Sequence, residues 1–306
     1  FACSPDFYDY KKVTDFSTCN ANVLISCSDY NDVSRARSSR MGGGLFTYNT
    51  EHNTLNKRVT GSYRQIEIFE NKIYAVEYVQ GFLDIFDLEF NQIERIDLPG
   101  NNLCGLALDD AAETVYIANA GTDELIQYKV NEGDICIHNH FVRQGAKREA
   151  HVNDLCFENG KLFVSYFSAS GNYKYGVFDG GVGVVDLECA DASLNVVGNL
   201  WKPHSPRVFD GYLFVLDSMR GELVNGKHQT VAKFPGFVRG LDKVDELIAV
   251  GQSQDMYISE HLGTGRTVSV DPGVYLYHQS YRVQKFYRLP EIMNIHDVRI
   301  LNVYRA

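Results

Sequence analysis

The sequence predicts an all-β fold, a six-bladed β-propeller, and three observations carry that prediction. A short step of two polar or small residues followed by an apolar one recurs six times. A hairpin turn and a second apolar strand follow five of these steps. The sixth unit is divided between the two ends of the chain, as a ring closed by its own C-terminal strand requires.

The six steps are Arg64-Gln65-Ile66, Cys104-Gly105-Leu106, Asn153-Asp154-Leu155, Pro206-Arg207-Val208, Arg239-Gly240-Leu241 and His296-Asp297-Val298. Their middle residues lie 40, 49, 53, 33 and 57 positions apart, near the period of a four-stranded blade. Inner strands are therefore expected near 64–69, 103–108, 152–157, 206–209, 238–242 and 296–301.

Turn residues such as Glu70-Asn71, Asn159-Gly160 and Asp210-Gly211 lead into second strands at Ile73–Val76, Leu162–Val164 and Leu213–Leu216. Third strands such as Gly81–Asp87 and Gly273–Tyr277 open on Gly and then alternate apolar residues, the period of a sheet. After Leu301 the chain has no further turn and strand to complete its unit. The missing pieces stand at Asn22–Cys27 and Gly43–Tyr48. Pairing the last strand beside the first removes the open edges of an unclosed array. No Pro/Ser-rich linker divides the chain, so residues 1–306 are expected to form one domain.

Composition narrows function. The net charge of −10 argues against general nucleic-acid binding, and Arg35, Arg37 and Arg40 read as a solvated serine-rich loop. No apolar run is long enough for a membrane span, and no charged-then-apolar leader is read. The chain opens at Phe1, consistent with a domain of a longer protein. Seven scattered cysteines without a CxxC pair signal no zinc knuckle. Cys27, Cys104 and Cys156 read as buried free thiols, so the expected setting is reducing and cytoplasmic.

In a propeller the entry to each first strand lies at the mouth of the central channel. Reading those entries together gives Arg64, Asn102, His151, Asn153, Asp154, His204, Arg207, Arg239, His296 and Asp297. Three arginines and three histidines converge in an acidic protein, and such a funnel attracts an anion. His204 and His151 are the candidate general bases, because imidazole titrates near neutrality. Arg64, Asn153, Arg207, Arg239 and His296 are the candidate ligand contacts. Asp154 and Asp297 are the candidate metal ligands, for Ca, Mn or Zn.

A structural alternative stands beside each role. Arg207–Asp154 or Arg239–Asp297 pairs would plug the channel, and His204, held between Pro203 and Pro206, would serve as a turn residue. Trp201 is expected to pack between blades, and His138 and His140 to face solvent. The insertions at 166–182 and 251–272 are long enough to cover one face of the disc.

Pro203-His204-Ser205-Pro206-Arg207, Leu216-Asp217-Ser218-x-x-Gly221-Glu222-Leu223 and Pro235-Gly236-Phe237-x-Arg239-Gly240-Leu241 resemble an uncharacterised, mainly bacterial family. Its signature is PHSPR / LDSGxGEL / PGFxRGL, and Met219 stands here where that family usually has Gly. His151-Val152-Asn153-Asp154 is similar to a further step of it. The resemblance implies a propeller and no established activity. More distantly, the architecture is similar to six-bladed gluconolactonase-like propellers, which place a metal or catalytic acid at the channel mouth.

The function expected is binding of a small polar, anionic molecule at the mouth, with metal-assisted hydrolase, lyase or isomerase chemistry upon it. The competing expectation is a non-catalytic module that binds a protein partner on the disc face, within a larger biosynthetic enzyme.

Overall fold

The computed structural model describes residues 19–29, 39–139, 141, 150–185, 193–254 and 271–305. Arg35, Arg37, His140, Cys3, Cys189 and positions 255–270 of the second insertion lie outside them. Among the described residues, 24 strands form six four-stranded antiparallel sheets around a central channel.

The chain begins with β1 (Cys19–Cys27), β2 (Gly44–Asn49) and β3 (Thr54–Thr60). The second sheet is β4 (Tyr63–Phe69), β5 (Lys72–Glu77), β6 (Phe82–Asp87) and β7 (Gln92–Asp97). The third is β8 (Leu103–Leu108), β9 (Thr114–Asn119), β10 (Glu124–Lys129) and β11 (Ile135–His138). The fourth is β12 (Val152–Glu158), β13 (Lys161–Tyr166), β14 (Gly180–Val185) and β15 (Ser193–Leu200). The fifth is β16 (His204–Phe209), β17 (Tyr212–Asp217), β18 (Glu222–Asn225) and β19 (Thr230–Lys233). The sixth is β20 (Phe237–Val244), β21 (Leu247–Ser253), β22 (Gly273–His278) and β23 (Val283–Arg288). The last strand, β24 (Ile295–Arg305), pairs antiparallel with β1 and completes the first sheet in the order β24-β1-β2-β3. The ring closes as the split repeat predicts.

The recurring step has a structural cause. The ladder between the first and second strand of each sheet breaks register at the step: Tyr63/Ile66, Leu103/Gly105, Val152/Leu155, His204/Arg207 and Arg239/Leu241. β24 does the same against β1 around His296. A β-bulge adds a residue and re-aims the side chains beside it. Six bulges at equivalent positions therefore define one polar level around the channel. At Gly240 the bulge needs a backbone at φ 79°, and a Cβ there would stand 2.6 Å from the Val298 nitrogen, so only glycine fits.

The core is not central. It is divided into six clusters, one in each seam between neighbouring sheets. Leu24 and Leu45 of the first sheet pack with Tyr63, Ile66 and Ile73 of the second. Across the closing seam, Val23 and Ile25 pack with Ala249, Val274 and Leu276. Each such fully buried aliphatic chain contributes about 1.5–3 kcal/mol, and none is buried without the neighbouring sheet. The outer strands β3, β7 and β11 carry largely exposed residues.

Candidate site at the channel mouth

The inner strands, β4, β8, β12, β16, β20 and β24, all enter the channel at the same end. Positions along them therefore correspond to depth, and two polar levels are separable.

The deeper level is a belt of ion pairs. Arg207 Nη2 lies 3.3 Å from Glu67 Oε1 and 3.4 Å from Asp297 Oδ2. Arg299 lies 2.9 Å from the same Glu67 oxygen and 3.0 Å from Asp297 Oδ1. Burial works against the charge on Arg207, but Glu67 and Asp297 more than offset it and hold the guanidinium protonated. Burial pushes the Asp297 carboxyl up to about 6 against the pull of Arg299 and Arg207, which leaves it ionised at neutral pH.

Gln65 ties in the remaining sheets. Its Oε1 accepts from the backbone N–H groups of Leu106 and Leu155, both at 2.9 Å, and its Nε2 donates to the Leu155 carbonyl at 2.6 Å. The plug expected from Arg–Asp pairing is present with different partners. Arg207 pairs with Asp297 and Glu67, not with Asp154.

The upper level is built from Arg64, His151, His204, Arg239 and His296. His296 is fully buried, and its Nε2 stands 2.9 Å from Arg64 Nη1. The Arg64 guanidinium also lies 3.8 Å from the centroid of the Tyr78 ring. Arg239, 2% exposed, donates from Nη2 to Ser253 Oγ at 2.8 Å and to Asn294 Oδ1. His204 is buried with Nδ1 2.9 Å from the Lys202 carbonyl and 2.8 Å from Ser218 Oγ.

Aromatic rings surround this level. Phe167 packs tilted against His151 at 4.3 Å and meets His204 edge-on at 5.2 Å. Tyr173 and Phe237 stand 5.3 Å from His151 and 5.5 Å from His204. The His204 and His296 ring centroids are 5.9 Å apart.

Electrostatics distinguish these imidazoles from ordinary ones. Burial, then Arg239, Arg64 and His151, holds His204 well below its usual range, with the Lys202 carbonyl opposing. Burial, then Arg64, Arg239 and His204, does the same to His296. Both rings are neutral at physiological pH, beside two groups that stay charged.

Asp154 lies between the two levels. Its Oδ2 accepts from Ser205 N–H at 2.8 Å and Ser205 Oγ at 3.2 Å, and Ser205 Oγ in turn accepts from Gly240 N–H at 2.9 Å. The carboxylate thus fixes the bulges of β16 and β20. Asn153, also buried, stands beside it on β12. Asp297 is committed to two arginines and the Ile66 N–H, and among the described residues no group of three His, Cys, Asp or Glu side chains is placed to share an ion.

The first insertion carries Phe167 and Tyr173 over the mouth, with a short 3-10 turn at Tyr173–Tyr175, so it covers this face as its length suggests. Trp201 differs from expectation. It is 38% exposed, 5.5 Å from Phe178 and 4.7 Å from the Arg220 guanidinium, rather than packed between sheets. His138 is half-buried and hydrogen-bonded to Gln127.

Sequence reading did not identify Gln65, Glu67, Arg299, Asn294, Ser218 or the aromatic wall. Arg299 carried a signal, since it alternates with Asp297 on an inner strand. Phe167 and Tyr173 carried none beyond lying in a long loop.

Among solved structures, the chain is similar over 92% of its length to a chain of the crystal structure of a nidogen/laminin complex, with TM-score 0.64, 8% identity and 98% of that chain covered. It is also similar over 92% to a protein of unknown function from Bacteroides caccae, with TM-score 0.61, 10% identity and 100% of that chain covered. At such identities the likeness is one of fold. No curated protein matches the sequence. The pattern described as "Domain of unknown function (DUF4915)" matches residues 136–303, three of the six sheets and most of β24, and the chain belongs to that family.

Proposed function

We propose that the channel mouth binds a small anionic molecule through Arg64 and Arg239, with His151, His204, His296 and Asn153 contacting it. One observation carries this reading: the guanidinium groups of Arg64 and Arg239 share the upper level with two neutral imidazoles, those of His204 and His296. Among side chains this deeply buried, such cations attract an oxyanion far more strongly than they would at a surface. Hydrolase, lyase or isomerase chemistry would use His204 or His151 as base, because neutral imidazole accepts a proton.

Titration calorimetry with phosphate, sulfate and short carboxylates tests this. Arg64→Ala is expected to weaken the best of them about tenfold, the loss of one charge-assisted hydrogen bond, with a thermal midpoint within a few degrees of wild type. Absence of saturable binding by all three classes overturns the proposal.

A second reading rests on the outer part of the same face. Tyr175, 84% exposed, and the exposed Val177 lie on the same insertion as Phe178, whose ring stands 5.5 Å from the part-exposed Trp201, itself 4.7 Å from the Arg220 guanidinium. Exposed aromatics of this kind mark protein interfaces, and one similar fold comes from a nidogen/laminin complex. Retention of a partner by wild type but not by Trp201→Ala would favour it.

A further inference from the structure

The hydrogen bonds at the mouth fix the tautomers of two histidines, and the tautomers define what a ligand must offer. Arginine has only donors. The 2.9 Å contact between Arg64 Nη1 and His296 Nε2 therefore makes that nitrogen an acceptor, and the neutral ring carries its proton on Nδ1. His296 is fully buried, yet its Nδ1 has no hydrogen-bond partner among the described residues. A buried donor left without a partner costs about 1–3 kcal/mol.

His204 has the opposite polarity. The Lys202 carbonyl can only accept, so its 2.9 Å contact places the His204 proton on Nδ1. Ser218 Oγ, 2.8 Å away, stands beside the same nitrogen. The lone pair is then on Nε2, which makes no hydrogen bond with the described residues. Asn153 Oδ1 is a further buried atom at this level without a partner. The neutrality of both rings, kept by burial and by Arg239 and Arg64, preserves this pairing of one donor with one acceptor.

Resting on the anion-site reading, we infer that the ligand is a hydroxy acid, a carboxylate with a hydroxyl on the adjacent carbon. The carboxylate accepts from the guanidinium groups and from His296 Nδ1–H, and the hydroxyl donates to His204 Nε2. The 5.9 Å between ring centroids suits two such groups on neighbouring carbons. The walls supplied by Phe167, Tyr173 and Phe237 suit an apolar or aromatic substituent.

The test is calorimetric titration with mandelate and with phenylacetate, which lacks only the hydroxyl. Wild type is expected to bind mandelate at least tenfold more tightly. In His204→Phe, mandelate should fall to within twofold of phenylacetate. Equal binding of the two acids by wild type overturns the hydroxyl inference and leaves the anion site standing. Binding of neither, together with failure of lactate and propionate, overturns the hydroxy-acid inference, and failure of phosphate and sulfate as well overturns both. A mandelate preference that survives in His204→Phe also overturns the inference.

Long-range proton–nitrogen correlation spectra of the wild type read the tautomers without any substitution. Both rings are expected as the Nδ1–H form. An Nε2–H form at His204 overturns the assignment whether or not the variant folds.

Discussion

A buried histidine gives the mouth a measurable pH signature. The folded-state pKa of His296 lies well below the 6.5 of a free imidazole, so below about pH 6.5 the unfolded chain takes up a proton that the folded chain refuses. Stability contributed by neutral His296 is therefore present above that pH and falls by up to about 1.4 kcal/mol per unit below it. Asp297 acts in the opposite sense. Its pKa is raised from 3.8 to about 6, so the folded chain gains relative stability as pH falls through 6. Comparing wild type with His296→Gln isolates the histidine. Between pH 7.5 and 5.5 the wild-type thermal midpoint should fall about 2 °C more than that of the variant, and equal falls would show that His296 is charged in the folded state. Position and type made this residue legible in the sequence. Its neutrality was not, because that depends on Arg64 and Arg239 arriving from two other sheets.

At the scale of elements, the bulge explains what could be read and what could not. Two small or polar residues before an apolar one are what a bulged inner strand needs, so six copies of that step located six inner strands to within a few residues. Strand β16 begins at His204, two residues before its expected start at Pro206, because the ladder to β17 resumes above the bulge. Pairing across the channel left no such mark. Arg207 meets Glu67 and Asp297, Arg299 meets Glu67, and Gln65 meets Leu155, each through partners that lie far apart in sequence. The belt makes its own prediction. Gln65→Leu strands two buried backbone donors, those of Leu106 and Leu155, and should lower unfolding free energy by about 2–4 kcal/mol in a denaturant titration. Lys129→Ala, which breaks the exposed pair with Glu132, should change it by less than about 1 kcal/mol. Equal effects would show that the belt carries no special weight.

At the scale of the whole molecule, each core is shared between two neighbouring sheets. Six cores lie in six seams, and the closing seam depends on β24 lying against β1 and β20. Removing 295–305 should abolish the cooperative thermal transition and give an aggregating chain on size-exclusion chromatography, because β1 would be left as an open, apolar edge. A monomeric truncated chain with a wild-type melting curve would contradict that. The split sixth unit made this closure readable, and the family match spans only part of the ring it belongs to.

β24 brings His296 to the mouth, and Asp297 and Arg299 to the belt, in the act of joining the two ends of the ring. Of the described strands it is also the last to leave the ribosome. On the proposed reading, recognition and ring closure are a single event: a nascent chain stopped short of this strand has no anion site to offer. A molecule gripped between His204 and His296 would latch the seam, slowing the opening that precedes degradation.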